Sequence, residues 1–444
     1  MEGGKWGLII IFSAFMIQFL AFGTSFAMGV YTVEFLDYFD NDTFAVSFIL
    51  SINIGMFLGS GPIVSFLMTK FTHRTLAIVG GFMSFVGVLM MPVLPYLPAL
   101  YFFYGIINAV GCCMAYTPSH VLSGLYYNKY QSLSTGVATS GSGLGSAVMP
   151  IVIGYLIEEY SWKGSLYIVS AMNLNIVVFA ALLRPVPISS EGTFLKESQN
   201  CSEKMISEEK EKVKIQPKFV LCLKNIVKKH FFIFHDFGFV VYCLNNVCWN
   251  FTCGVTMTFI PDYLVIQGIP RIDAAFIVTI CGLGTFVGGV AGAILGNITI
   301  INRIFLFSLS NILTGISCFI FVWISSYSNY LAVGFVYGFC FGITLGLLLV
   351  LVTDILGVEN LGHGLGYLLM ANGIGAFLGP PVAGYLDEVY GGYEPGIYTA
   401  GVVAIIGGLL LLLIPLFNFF TNKSQKRTQC TETELMECEI PLKT

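Results

Sequence analysis

Glu203-Lys204-Met205-Ile206-Ser207-Glu208-Glu209-Lys210-Glu211-Lys212 is the sustained run of charge in a chain that is otherwise apolar. Only 10% of the 444 residues are charged and 56% are apolar. A soluble domain carries about 25% charged residues, so the run marks a watery break between hydrophobic blocks. Reading outward from it, six apolar stretches precede the break, at about 7–33, 44–68, 75–94, 97–122, 131–155 and 164–183. Six more follow, at about 237–265, 274–296, 304–325, 329–353, 361–386 and 395–417. A helix needs about 20 mostly apolar residues to cross the hydrocarbon of a bilayer. Lipid offers backbone groups no partner, so each stretch must be a helix. The expected fold is all-α and membrane-embedded, with twelve transmembrane helices in two halves. The expected divisions are 1–184, a central loop at 185–236, 237–417, and a tail at 418–444.

All 21 Lys and Arg residues lie outside these stretches, and 19 of them fall on one side; Lys163 and Arg271 are the exceptions. The opposite loops hold Glu34, Asp37, Asp40, Asp42, Glu158, Glu159, Asp387, Glu388 and Glu394. Positive charge is retained on the cytoplasmic side, so both termini and the central loop are expected there. Phe219 to Phe234, with Lys218, Lys224, Lys228 and Lys229 among its apolar residues, has the pattern of a helix lying on an anionic leaflet. None of the 12 cysteines falls in an outer loop, so no structural disulfide is expected. The first stretch is longer than a signal-peptide core and lacks a small-residue cleavage site, so it is expected to stay attached. Asn41-Asp42-Thr43 is a glycosylation sequon on the outer side. No Gly-Lys-Ser/Thr phosphate loop, metal-ligand spacing or nucleophile–base pair is present. The chain is therefore read as no enzyme, with no cofactor and no nucleic-acid partner.

Small residues let membrane helices approach closely. Span eight has Gly284, Gly288, Gly292 and Gly296 at intervals of four, and spans five and eleven are also glycine-rich. Static packing and sliding helices are both consistent with such seams.

The chain begins Glu2-Gly3-Gly4-Lys5-Trp6-Gly7-Leu8. Span five is entered through Tyr126-Tyr127-Asn128-Lys129, followed by Leu133, Gly136, Ala138, Ser140-Gly141-Ser142 and Gly145. Both stretches resemble signatures of the monocarboxylate transporter family, a branch of the major facilitator superfamily. In the first, Lys5 stands as an insertion and Leu8 replaces a second Trp. Gly61-Pro62, Trp162-Lys163-Gly164-Ser165, Arg184-Pro185, Gly338-Phe339-Cys340-Phe341-Gly342 and Leu378-Gly379-Pro380-Pro381-Val382-Ala383-Gly384 fit in order. The resemblance implies two six-helix bundles and alternating access around a site at the midplane. It also implies a plasma-membrane location, a small organic solute as ligand and, for some members, a single-span immunoglobulin-like escort protein. Membrane lipid is the other partner. Lactate-carrying members have a Lys late in span one and an Asp and an Arg four apart in span eight. Aligned on this sequence, those positions are Gly29, Gly284 and Gly288. The chain resembles the divergent branches, whose solutes are larger or zwitterionic.

An ionisable group in mid-membrane flags function, and this chain has almost none. Glu34 and Asp354 sit at span ends, and His120 lies near the inner end of span four. These three are the candidate gating or coupling groups; an interfacial hydrogen bond for His120 and a cap or ion pair for Asp354 are the alternatives. Neutral groups then have to bind the solute. Asn245, Asn246 and Asn250 surround Trp249 in span seven, with Asn246 and Asn250 on one helix face. Trp249 can stack on a solute or attract a quaternary ammonium, and an interhelical amide zipper is the competing reading of the cluster. Asn108, Tyr104, Gln18, Ser25 and Asn372 are further candidates, and Thr135 aligns with a family position near the substrate.

The expected function is a facilitative secondary transporter of a small carboxylate-bearing or zwitterionic organic solute. Two alternatives stay open: a proton-coupled symporter of lactate or pyruvate using Glu34 or His120, and a transporter-shaped receptor or scaffold with no flux.

Overall fold

The computed structural model describes residues 4–39, 43–127, 129–185, 236–298 and 300–416, which are helical nearly throughout and include no strand. The expected surface helix at 219–234, the tail and the Asn41 sequon lie outside the described residues. Among the described residues, ten helices are long and apolar enough to cross a membrane. One of them, Gln131–Ala181, is two spans that reverse at Ser161, whose φ of 62° is in the left-handed region. The loop expected between spans five and six is thus a single strained residue. Phe237–Ile266, with 30 residues, is span seven; its asparagines lower its mean hydropathy, so it is not among the ten. Twelve transmembrane helices result.

Several spans are less regular than their sequence suggests. Span one is helical over Gly4–Phe26, tightens to a 3-10 turn over Ala27–Tyr31, and restarts over Thr32–Tyr38. The buried Tyr31 holds this bend, because its hydroxyl lies 2.6 Å from Ser165 Oγ in span six. Phe35 meets Trp162 edge-on at 5.5 Å, and Lys163 sits over the Tyr38 and Trp162 rings. Span two breaks at Ser60, between Thr43–Gly59 and Gly61–Met68, where Pro62 falls in the first turn of the second piece. Span four runs from Leu97 to Leu125 through a π-helical stretch at Tyr101–Asn108. There Asn53 of span two donates its amide to the Tyr104 carbonyl at 2.8 Å, drawing that oxygen out of the regular ladder. Side chains cap the starts of spans three, seven and nine: Thr72 accepts from Thr75 N, Asp236 from Phe239 N, and Asn302 from Ile304 N.

The helix pairing repeats with an offset of six. Span one packs on five as seven does on eleven, two on four as eight on ten, and three on six as nine on twelve. The two bundles meet along two seams, span five against eight and span two against eleven. Glycine makes both seams close. A Cβ on Gly143 would stand 2.5 Å from the Phe286 nitrogen, and one on Gly373 2.7 Å from that of Gly59. The stripe on span eight is used within its own bundle: a Cβ on Gly284 would lie 2.5 Å from the Phe335 carbonyl, and one on Gly288 would overlap that of Phe339. The N-terminal bundle also holds a buried polar knot. Ser84 Oγ donates to Asn108 Oδ1 at 2.7 Å and accepts from Asn173 Nδ2 at 3.1 Å, tying spans three, four and six.

Candidate functional site

Halfway along the helices, between the two bundles, lies a chamber of about 130 Å³. Phe22, Phe26, Leu58 and Tyr116 form its N-terminal wall with Ser142, Gly143, Ser146 and Pro150 of span five. Trp249, Asn250, Cys253 and Met257 of span seven face them, with Val278, Gly282 and Thr285 of span eight. Phe341, Leu345 and Leu348 of span ten and Leu369 and Asn372 of span eleven complete it. No Asp, Glu, Lys, Arg or His is among these described residues. The walls carry two aromatic pairs: Phe22 meets Tyr116 edge-on at 5.3 Å, and Trp249 stacks on Phe341 at 4.6 Å and 27°. A volume of this size suits a compact solute of a few heavy atoms, near the ~150 Å³ of a cavity that binds benzene.

The sequence places Gly284 and Gly288 where charged relatives have Asp and Arg. In the structure both lie against the span-ten backbone, and the span-eight positions facing the chamber are Val278, Gly282 and Thr285. Span eight therefore brings no charge to the chamber whichever register is taken. Gly29 lies in the 3-10 turn within span one, exposed and with open space beside it.

Of the span-seven cluster, Trp249 and Asn250 line the chamber. Asn246 is buried behind them, its Nδ2 donating to the Tyr242 carbonyl at 2.8 Å. Asn245 is on another face, against Gly407 of span twelve. Among the described residues, neither amide atom of Asn245, nor Asn246 Oδ1, nor Trp249 Nε1 has a hydrogen-bond partner. Asn372 lines the chamber from span eleven, with Oδ1 likewise unpartnered. The remaining candidates lie elsewhere. Asn108 is held in the polar knot. Tyr104 is buried with its hydroxyl 3.5 Å from the Ser25 carbonyl. Gln18 is fully buried with both amide atoms unpartnered. Thr135 donates back to the Gln131 carbonyl at 2.9 Å.

His120 is fully buried, and its Nδ1 lies 2.9 Å from the hydroxyl of Tyr116, which lines the chamber. Asp354 accepts two bonds from Arg303 Nη1, at 2.7 and 3.0 Å, and Arg303 Nε also donates to the Gly296 carbonyl. The pair therefore clamps spans eight, nine and ten of one bundle. Glu34 is half-buried in the short helix Thr32–Tyr38.

Sequence reading gives Ser142, Ser146 and Thr285 no role in the site. The four-residue spacing of Ser142 and Ser146, which sets both on one helix face, was the available signal. Cys253 was also missed; it is a free thiol in the wall.

Among the described residues, hydrogen bonds cross between the bundles at the end that carries the basic loops. Ser65 Oγ is 3.1 Å from His363 Nδ1, Gln131 Nε2 donates to Thr353 Oγ1 at 3.0 Å, and Ser132 Oγ to the Ala293 carbonyl at 3.2 Å. The chamber is closed off from the basic end, and its lining continues toward the acidic end through Phe26, Pro150, Met257 and Val278. The signature motifs gather at the basic end as scaffold. Arg184 lies 3.8 Å over the Trp6 ring, Tyr126 donates to the Arg184 and Pro185 carbonyls, and Gly7 leaves room for the Tyr127 ring.

A sequence model of the Major Facilitator Superfamily matches residues 10–366 and 299–429. Monocarboxylate transporter 13 of Rattus norvegicus is 27% identical over 444 residues, covering 99% of this chain and 96% of that protein. Monocarboxylate transporter 12-B of Danio rerio is 25% identical over 458 residues, covering 98% and 92%. Among solved structures, an E. coli fucose:proton symporter superposes with a TM-score of 0.62 at 15% identity, over 93% of this chain and 99% of that one. A second structure of that transporter, described as in the outward conformation, gives a TM-score of 0.64, also at 15% identity.

Proposed function

The chain belongs to the Major Facilitator Superfamily, and from that premise we propose that it is a facilitative secondary carrier of a small organic solute bearing a carboxylate, alone or balanced by an ammonium. It moves that solute by alternating access. The basic end is the cytoplasmic end, and the plasma membrane is its site of action. The observation that carries the facilitative reading is the lining of the chamber, whose described residues supply amides, hydroxyls, a thiol and aromatic rings and no Asp, Glu, Lys, Arg or His. A fixed charge in mid-membrane is the usual carrier of a coupled ion. Where it is missing, the solute gradient is the driving force.

The test is uptake of a mixture of small carboxylates and zwitterions into liposomes holding the purified chain. Saturable uptake above empty vesicles is expected, unchanged by an imposed proton gradient. No uptake above empty vesicles overturns the carrier reading.

One observation favours proton coupling as a second reading: the contact of His120 Nδ1 with the chamber-lining Tyr116 hydroxyl. On that reading an inward proton gradient accelerates uptake, and His120→Gln removes the acceleration while leaving basal exchange.

A further inference from the structure

The serine and threonine hydroxyls in the chamber wall have already committed their protons. Ser142 Oγ donates to the Thr139 carbonyl at 2.6 Å, Ser146 Oγ to that of Gly143 at 2.9 Å, and Thr285 Oγ1 to that of Cys281 at 2.9 Å. A carbonyl can only accept, so in each bond the hydroxyl hydrogen points back along its own helix. What each oxygen has left is lone pairs. Asn250 differs, because its Nδ2 spends one N–H on the Asn246 carbonyl at 3.3 Å and keeps both its amide oxygen and a second N–H. Asn372 Oδ1 is buried and unpartnered. The polar face of the chamber is thus a set of acceptors contributed by spans five, seven, eight and eleven. Donors are fewer: Trp249 Nε1, buried without a partner, and the amide N–H groups of Asn250 and Asn372, with the Tyr116 hydroxyl shared with His120.

We propose that the chamber selects its solute through the solute's own N–H donors, holding a primary ammonium group on a molecule of no net charge against Ser142, Ser146, Thr285 and Asn250. This rests on the carrier reading and narrows its solute class. Acceptors cannot satisfy a carboxylate, and a buried group left unpaired costs more than a bond formed returns. An ammonium offers three donors to such a wall. The chamber holds no carboxylate to neutralise a bare cation, so the solute carries its own counter-charge. For that carboxylate the wall keeps Trp249 Nε1 and the amide N–H groups of Asn250 and Asn372.

The experiment uses three probes with one carbon skeleton: 2-aminobutyrate, its N,N,N-trimethyl derivative and butyrate. The first has ammonium donors, the second has the same charges with no N–H, and the third lacks the ammonium. Thermal stabilisation of the purified full chain is titrated with each. We expect 2-aminobutyrate to stabilise and the other two to bind at least tenfold more weakly. Thr285→Val keeps the side-chain shape, and Ser146→Ala removes one oxygen. Each weakens the response to 2-aminobutyrate by about fivefold, the effect of one lost hydrogen bond, while the melting temperature without probe stays at the parent value. Equal stabilisation by butyrate or by the trimethyl derivative overturns the proposal, and so does no stabilisation by any probe. Liposome uptake separates the two failures. If flux of other solutes persists, only the donor selectivity is wrong; if flux is absent, the carrier reading falls with it.

Discussion

Cys253 is the reactive reporter that the chamber supplies. It is a free thiol on span seven, one turn beyond Trp249, and it lines the same space as the two aromatic pairs. A small membrane-impermeant thiol reagent added at the acidic end should reach it and block uptake, because the adduct fills a chamber of only about 130 Å³. Cys253→Ala should retain uptake and lose the sensitivity. Block that persists in Cys253→Ala would mean the chamber does not open as described. At this scale the asparagines also part company. Asn250 and Asn246 share a helix face, yet of the two Asn250 lines the chamber, while Asn246 lies one turn earlier with its amide turned back to the Tyr242 carbonyl. Trp249 has one face covered by Phe341, so a solute can stack on no more than its other face.

Among the elements, span eight shows how a sequence repeat becomes packing. Gly284, Gly288 and Gly292 bring its backbone against that of span ten, where Gly338 and Gly342 return the approach. Gly288→Ala would drive a methyl group into the Phe339 carbonyl. Overpacking of this kind costs about 1–3 kcal/mol, so the variant should melt several degrees below the parent. Gly154→Ala is the control, because a Cβ there meets nothing within 4 Å and removing a mid-helix glycine is mildly favourable. Equal melting of the two variants would refute the close seam. The irregular elements follow a common cause: Tyr31, Asn53 and Ser161 each tie or turn a span end to a neighbour, and apolar periodicity carries no trace of such ties.

For the whole molecule, closure of the basic end is the state to be weighed. Two of its side-chain contacts, Ser65 with His363 and Gln131 with Thr353, join opposite bundles. A hydrogen bond contributes about 1 kcal/mol net, so each shifts the balance of closed to open about fivefold. Ser65→Ala combined with Gln131→Ala should therefore open the basic end about twenty-five-fold more often if the two act independently. The readout is the rate of Cys253 labelling from the basic side, which should rise while labelling from the acidic side falls. An unchanged ratio would show that these bonds do not hold the gate. The Arg303–Asp354 pair, an ion contact of 2.7 Å, does not cross between bundles and is expected to leave that ratio alone.

The sequence by itself determined the solvent, the element type and the count. Hydrocarbon forbids unpaired backbone groups and retained charge, so span length and the distribution of 21 basic residues leave little freedom. It also determined that span eight brings no charge to the chamber, since glycine stands at the aligned positions and no charged residue lies within the span. Which polar groups meet was decided by the tertiary structure. Asn108 and Asn250 look alike in sequence, each an amide in mid-span, yet one is spent in a knot with Ser84 and the other faces the chamber. Helix rotation makes that difference, and rotation is set by the neighbours across each seam. The direction of each wall hydroxyl was likewise invisible until the carbonyl that takes its proton was in place.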